Sequence, residues 1–325
     1  MKLTLLLLTL TSCVALAATE EQTNQTFQVA PGGALVVNVD FGSIDVTTNS
    51  TDAVNIQVWR KVTRSSAADE QKFLADHPVE FTQEGNTVTV RSRAKEKEKT
   101  HWFGGFRNRA EATYTIRVPA RFDARLNTSG GGIAASDLTG EVKADTSGGG
   151  LRFTRLHGPL DGDTSGGGIR VTDCEGTIKI DTSGGGIEVT GGSGSLHGDT
   201  SGGSITVKNF KGPASVDTSG GGISIENVAG KIKGDTSGGS IHAALLSPLP
   251  GDVSLSTSGG GISVSIPADA AFNLDAEASG GGVRCDLPVT VQGKREHDRL
   301  KGPVNGGGPV VHLETSGGGV HVRKM

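Results

Sequence analysis

The sequence predicts an all-β fold, a single-stranded parallel β-solenoid with eighteen-residue coils, preceded by degenerate coils that carry one short helix. Three observations predict it. The first is repetition: TSGGGI or a close variant begins at Thr128, Thr146, Thr164, Thr182, Thr200, Thr218 and Thr236, a constant interval of eighteen positions. Looser copies begin at Thr257, Ala278 and Thr315. The second is alternation within the copies. The sixth and eighth positions are apolar (Ile169 and Val171, Ile187 and Val189) while the seventh is mostly polar, which is the period of a strand. The third is composition: 51 glycines and only 4% aromatics, with the glycines periodic, point to a repeat architecture.

Taken in chain order, residues 1–18 read as an export signal. Lys2 precedes the apolar run LTLLLLTL, and Ala15-Leu16-Ala17 fits a small-x-small cleavage pattern, with cleavage near Ala17 or Ala18. Leu10-Thr11-Ser12-Cys13 also resembles a lipobox, which would place a lipid on Cys13, although the apolar run before it is short. No later segment approaches the ~18 apolar residues of a membrane span. Export makes the protein periplasmic or surface-exposed.

Residues 19–125 form a β-rich capping part. It holds strand-like segments such as ALVVNVDF, AVNIQVWRKV and ATYTIRVP, and ten of the thirteen aromatics. One helix is predicted over SAADEQKFLADH, with Ser66 as its cap and Pro78 after its end. This part should cover the open strand edge of the first coil. Within it, Lys99, Trp102, Phe103, Phe106, Arg107 and Arg109 form a basic and aromatic stretch. It reads either as an exposed contact loop for a membrane, glycan or partner, or as a hairpin whose aromatics pack on the solenoid.

Residues 126–325 are the TSGGG-repeat solenoid. Stacking at about 4.8 Å per coil turns each apolar position into an inward ladder. The sixth, eighth and fifteenth positions supply such ladders, as does the eleventh (Leu138, Leu156, Cys174, Gly192, Phe210, Val228, Leu246). Glycines are expected where the chain turns, because they accept positive φ, with a second turn near the thirteenth position. Cys174 and Cys285 fall on inward columns six coils apart, roughly 29 Å, so they should be buried thiols that cannot form a disulfide. The final coil, Val310 to Val322, is expected to close the stack.

The eighteenth position gives an outward ladder: Asp145, Asp163, Asp181, Asp199, Asp217 and Asp235. Calcium-binding β-roll repeats place Asp after the glycines, twice per turn; here Asp precedes them, once per turn, so no metal or other cofactor is expected. Lys143, Lys179, Lys233 and His197, two positions earlier, would offset the charge, and the carboxylates could accept from the Ser hydroxyl or glycine N–H of their own turn. DTSGG repeats in every coil, so it is architecture and not a protease nucleophile. The net charge of −4 gives no basic excess for nucleic acid.

The TSGGGI coils and the ending GPVNGGGPVVHLETSGGGVHV resemble the bacterial adhesin-type β-strand-repeat family, a domain of unknown function with TSGGG-type repeats, over residues 27 to 325. The resemblance implies a β-solenoid in an envelope setting and no catalytic residues. The expected function is an exported, non-enzymatic interaction scaffold whose partner is a glycan, an envelope component or another protein. The alternatives are a structural envelope protein assembling end to end and a carbohydrate-active β-helix enzyme. A signalling partner domain of the anti-sigma type would need a membrane link that the sequence lacks.

Overall fold

A computed structural model of the chain describes residues 18–94, 109–291 and 297–325. The described strands form two sheets of 14 strands each, facing one another across a continuous apolar core. The central coils have the predicted period. Leu151, Ile169, Ile187 and Ile205 stand in register in one sheet, and Leu160, Ile178, Leu196 and Ala214 in the other, all pairings parallel. Each of these residues is buried. At about 1.5–3 kcal/mol for burying one aliphatic side chain, the ladders hold the stack together, and no coil has enough of them alone.

The two corners of a coil are built differently. The second turns at a left-handed residue: Asp137, Asp173, Asn209 and Asn227 have φ between 51° and 63°. Asn and Asp tolerate this region. Arg155 does so at φ 50°, and its guanidinium is held by Asp137 one coil back, at 2.6 and 2.9 Å. Three residues on, Gly158, Gly176 and Gly194 have φ of 122–140°.

The first corner, SGGG, corrects the sequence expectation. None of its glycines has a left-handed φ. The middle one is glycine because the coils approach too closely for a side chain: a Cβ on Gly185 would collide with the Gly167 carbonyl oxygen, and one on Gly203 with that of Gly185. The third is looser, and Ser204 and Ser240 stand there without disturbing the register. The eleventh column also shifts once. In the longer coil before Thr257, Leu245 and not Leu246 points inward, joined by Leu249.

At the N-terminal end, strands Gly33–Val39 and Ser43–Asn49 make the coil that pairs with Phe122–Thr128 and Ile133–Ser136. The intervening segment runs outward. Thr87–Ser92 and Arg109–Pro119 add a further parallel coil, and Ala53–Thr63, Thr19–Gln28 and Glu80–Glu84 finish the edges antiparallel. The predicted helix is α1, Ala67–Asp76, capped by Ser66, whose hydroxyl accepts from the Asp69 N–H at 3.2 Å. Phe73 of α1 packs on Phe41 with ring centroids 5.6 Å apart, which seats the helix against the first coil.

The C-terminal end overturns the expected coil order. Val310–Thr315 lies between Val253–Thr257 and Phe272–Ala278, paired in parallel with both. Val320–Lys324 likewise lies between Ile262–Ile266 and Val283–Cys285. The last coil in sequence is therefore inserted, and the coil of 272–285 is the outermost one. The cause is a reversal: Arg299–Val304 returns antiparallel along Phe272–Ala278. Asn305, Gly306 and Gly307 (φ 48°, 90° and 85°) then turn the chain to the inner side. The Asn305 amide donates to the carbonyls of Ala268 and Ala270, both at 2.9 Å, and fixes that turn. Cys285 consequently sits one coil farther from Cys174 than sequence order implies, and no disulfide links them. Cys174 is buried; Cys285, on the short outermost strand, is only half-buried, contrary to expectation.

Candidate functional site

The residue that fixes the position of the aspartate ladder is the threonine after it. Thr146, Thr164, Thr182, Thr200, Thr218 and Thr236 are all buried. Each hydroxyl donates to a glycine carbonyl of the preceding coil, as Thr182 does to Gly167 at 2.7 Å, and accepts from a glycine N–H of its own corner, as from Gly185 at 3.3 Å. The same bond joins Thr128 to Gly42 and Thr315 to Gly260, so it marks coil contacts at both ends. Corner capping thus belongs to these threonines, not to the aspartates. Sequence reasoning missed this because a polar residue in a strand reads as outward; the signal was its presence beside the glycines in nearly every copy.

With each threonine turned inward, its two neighbours turn outward. The six aspartates and the following serines, Ser147 to Ser237, line one open groove of about 820 Å³ that continues to Ser256 and Ser258. The aspartates stack in register, Asp163 on Asp181, Asp181 on Asp199 and Asp217 on Asp235. Basic side chains reach some of them from within the same strand: Lys179 to Asp181 at 3.0 Å, His197 to Asp199 at 2.9 Å and Lys233 to Asp235 at 2.8 Å. Lys143 pairs with Glu141 at 3.1 Å instead of Asp145, which accepts from the Asn127 amide at 3.3 Å.

Asp163 and Asp217 make no ion pair among the described residues, and the position two before them is Asp161 and Ser215. Partial burial and the neighbouring carboxylates push the Asp163, Asp199 and Asp217 carboxyls above the usual range, burial being the larger cause. The Lys179 and Lys233 ammoniums are pushed up by their bonds to Asp181 and Asp235. The groove therefore carries more negative charge than its own cations balance. The outer face of the other sheet differs, because its charges pair between coils: Arg170 with Glu188 at 2.7 Å and Lys208 with Glu226 at 3.2 Å.

Lys99, Trp102, Phe103, Phe106 and Arg107 lie outside the described residues. Arg109 is exposed and opens the strand Arg109–Pro119, paired opposite Thr63. Cys13 and residues 1–17 of the segment expected to be an export signal also lie outside the described residues. Among the described residues, no group of three or more His, Cys, Asp or Glu side chains is arranged to hold a metal ion, and no helix is long and apolar enough to cross a membrane.

No curated protein matches the chain in sequence. Similarity to solved structures extends along most of its length. A candidate adhesin from Parabacteroides distasonis is 14% identical, covering 93% of this chain and 97% of that one with a TM-score of 0.39. A candidate adhesin from Parabacteroides merdae is also 14% identical, covering 93% and 96% with a TM-score of 0.37. A candidate lipid-binding protein from Parabacteroides distasonis is 11% identical, covering 93% and 96% with a TM-score of 0.28. The family model of Toastrack DUF4097 matches residues 34–323, from the inserted first coil through the inserted last one, and the chain belongs to that family.

Proposed function

We propose that the protein is an exported, non-enzymatic scaffold of the bacterial envelope that recognises its partner along the acidic groove. The observation that carries this reading is the groove itself: aspartates and serines repeat in register over six coils, and Asp163 and Asp217 make no ion pair among the described residues. A surface of this kind suits an extended, repetitive ligand that carries hydroxyls or positive charge, a glycan or a basic segment of another envelope component. An enzyme would gather its acids at one place; here each coil repeats the same one.

End-to-end assembly has less support. The outer strand of one sheet is the polar TEEQTNQTFQ, and at the other end the outermost strand Val283–Cys285 is three residues long and carries Arg284. Short and charged edges resist edge-to-edge pairing.

The test is a glycan array and a vesicle-binding assay on the exported protein and two variants. One changes Asp163, Asp181, Asp199 and Asp217 to Asn; the other changes Trp102, Phe103 and Phe106 to Ala. Binding lost only in the first, with the melting temperature kept, is the expected result. Loss only in the second moves the contact to the segment around Trp102. Binding by the Asn variant equal to wild type removes the groove from the mechanism.

A further inference from the structure

Glu70 is a charged side chain in the wrong place for a charge. It is 1% exposed, on the inner face of α1. A buried carboxylate is retained only where hydrogen bonds and an opposite charge offset its desolvation. The hydrogen bonds are present. Oε2 accepts from the Thr19 hydroxyl at 2.6 Å and the Thr19 N–H at 3.1 Å, and Oε1 accepts from the Arg64 N–H at 3.0 Å. These donors, the Thr19 hydroxyl first, hold the carboxyl below its usual range, so it is ionised. The opposite charge is missing: among the described residues no Lys, Arg or His forms an ion pair with Glu70. The nearby guanidiniums are committed elsewhere, Arg60 to Glu21 at 2.6 Å and to the His77 carbonyl at 2.5 Å, and Arg64 over the Phe73 ring at 4.3 Å.

The group that Glu70 grips is the backbone two residues past the small-x-small pattern Ala15-Leu16-Ala17. Hydrolysis of the Ala17–Ala18 peptide bond by a processing peptidase consumes one water. It leaves a carboxylate on Ala17 and an amine on Ala18 that takes up a proton. That ammonium is one residue, about 3.8 Å of chain, from the Thr19 N–H already bound to the carboxylate. We infer that Glu70 is the docking site for the mature amino terminus: the α-ammonium of Ala18 supplies the missing charge. Removal of the leader thereby completes the cap formed by α1 and the edge strand Thr19–Gln28. The inference rests on the export reading above.

The experiment uses the full chain, exported by a bacterial host. Intact mass and N-terminal sequencing locate the first residue, and the rate of α-amine acetylation at neutral pH is then compared between wild type and Glu70→Gln. The expected result is a chain that starts at Ala18, with an amine that reacts about tenfold more slowly in wild type, as a pKa raised by about one unit requires. Acetylation should lower the melting temperature of wild type and leave that of Glu70→Gln nearly unchanged. Because the variant can fail to fold, the wild-type rate is also compared with that of a free peptide of the same first six residues. A chain that keeps its leader, or begins with a lipid on Cys13, overturns both the cleavage and the docking. A chain that begins at Ala18 but reacts as fast as the peptide or the variant overturns the docking alone and leaves export standing.

Discussion

The middle of the solenoid and its C-terminal end are made of the same repeat, yet only the middle keeps sequence order in space. From Val142 to Ala244 every coil pairs with the coils just before and just after it in the chain. Past Ile266 the chain skips a place, builds the coil of 272–285, reverses, and fills the gap with residues 310–324. The N-terminal end does something similar: the coil of 33–49 lies inside the one formed by Thr87–Ser92 and Arg109–Pro119. The difference teaches that a repeat in fixed register specifies the shape of a coil and not the identity of its neighbour. Any coil of this kind offers the same ladder of backbone groups, so the connecting segments decide who stacks on whom.

The largest effect should come from placing one charge in equivalent columns of the two regions. Ile187→Asp buries an unpaired carboxylate between two central coils and should cost at least about 4 kcal/mol, read as a loss of the cooperative melting transition. Leu313→Asp places the same charge in the inserted coil. That coil is the sheet neighbour that ties 272–285 to the rest, so hydrogen exchange should accelerate through 268–325 while the central coils stay protected. Uniform acceleration in both variants would erase the distinction between the regions.

Next in size are the corner glycines. Gly185→Ala drives a Cβ into the Gly167 carbonyl and should destabilise by about 3 kcal/mol or more in urea unfolding. Gly186→Ser, at the position where Ser204 and Ser240 already stand, should cost less than about 1 kcal/mol. Thr182→Val keeps the shape but strips both bonds of the buried hydroxyl, leaving the Gly167 carbonyl and the Gly185 N–H short of a partner. About 1–3 kcal/mol is expected, again by urea unfolding.

The smallest effect is electrostatic. Asp217 has a carboxyl raised in the folded state, so the folded protein holds that proton more tightly than the unfolded chain. Its contribution to stability is therefore present at low pH and lost as pH rises through the folded pKa. Asp217→Asn should raise the melting temperature at pH 7 by an amount worth less than about 1 kcal/mol, since the groove is open to solvent, and the gain should shrink as pH falls toward the carboxylate range. A variant less stable than wild type at pH 7 would mean that Asp217 has a cationic partner.

Much of the architecture was legible because it is written in period and polarity. Ile169, Ile187 and Ile205 announce an inward ladder by recurring once per repeat beside polar neighbours, and Ser66 with Pro78 frames α1. The pairing of Lys179 with Asp181 and Lys233 with Asp235 followed from their two-residue spacing on a strand. The role of Thr182 was missed because its hydroxyl satisfies two backbone groups, which polarity alone does not reveal. Lys143 was misassigned because Glu141 competes for it from the same face.

The sequence by itself determined the coil: its length, its inward columns, and the outward row of aspartates, since each depends on residues within one repeat and their images in the next. Only the tertiary structure decided why Gly185 must be glycine, where Thr182 points, and which coil lies outermost. All three depend on what another coil presents at close range. Close approach, bond partners and stacking order are properties of the assembled stack, and coils of identical register leave no trace of them in the period of the chain.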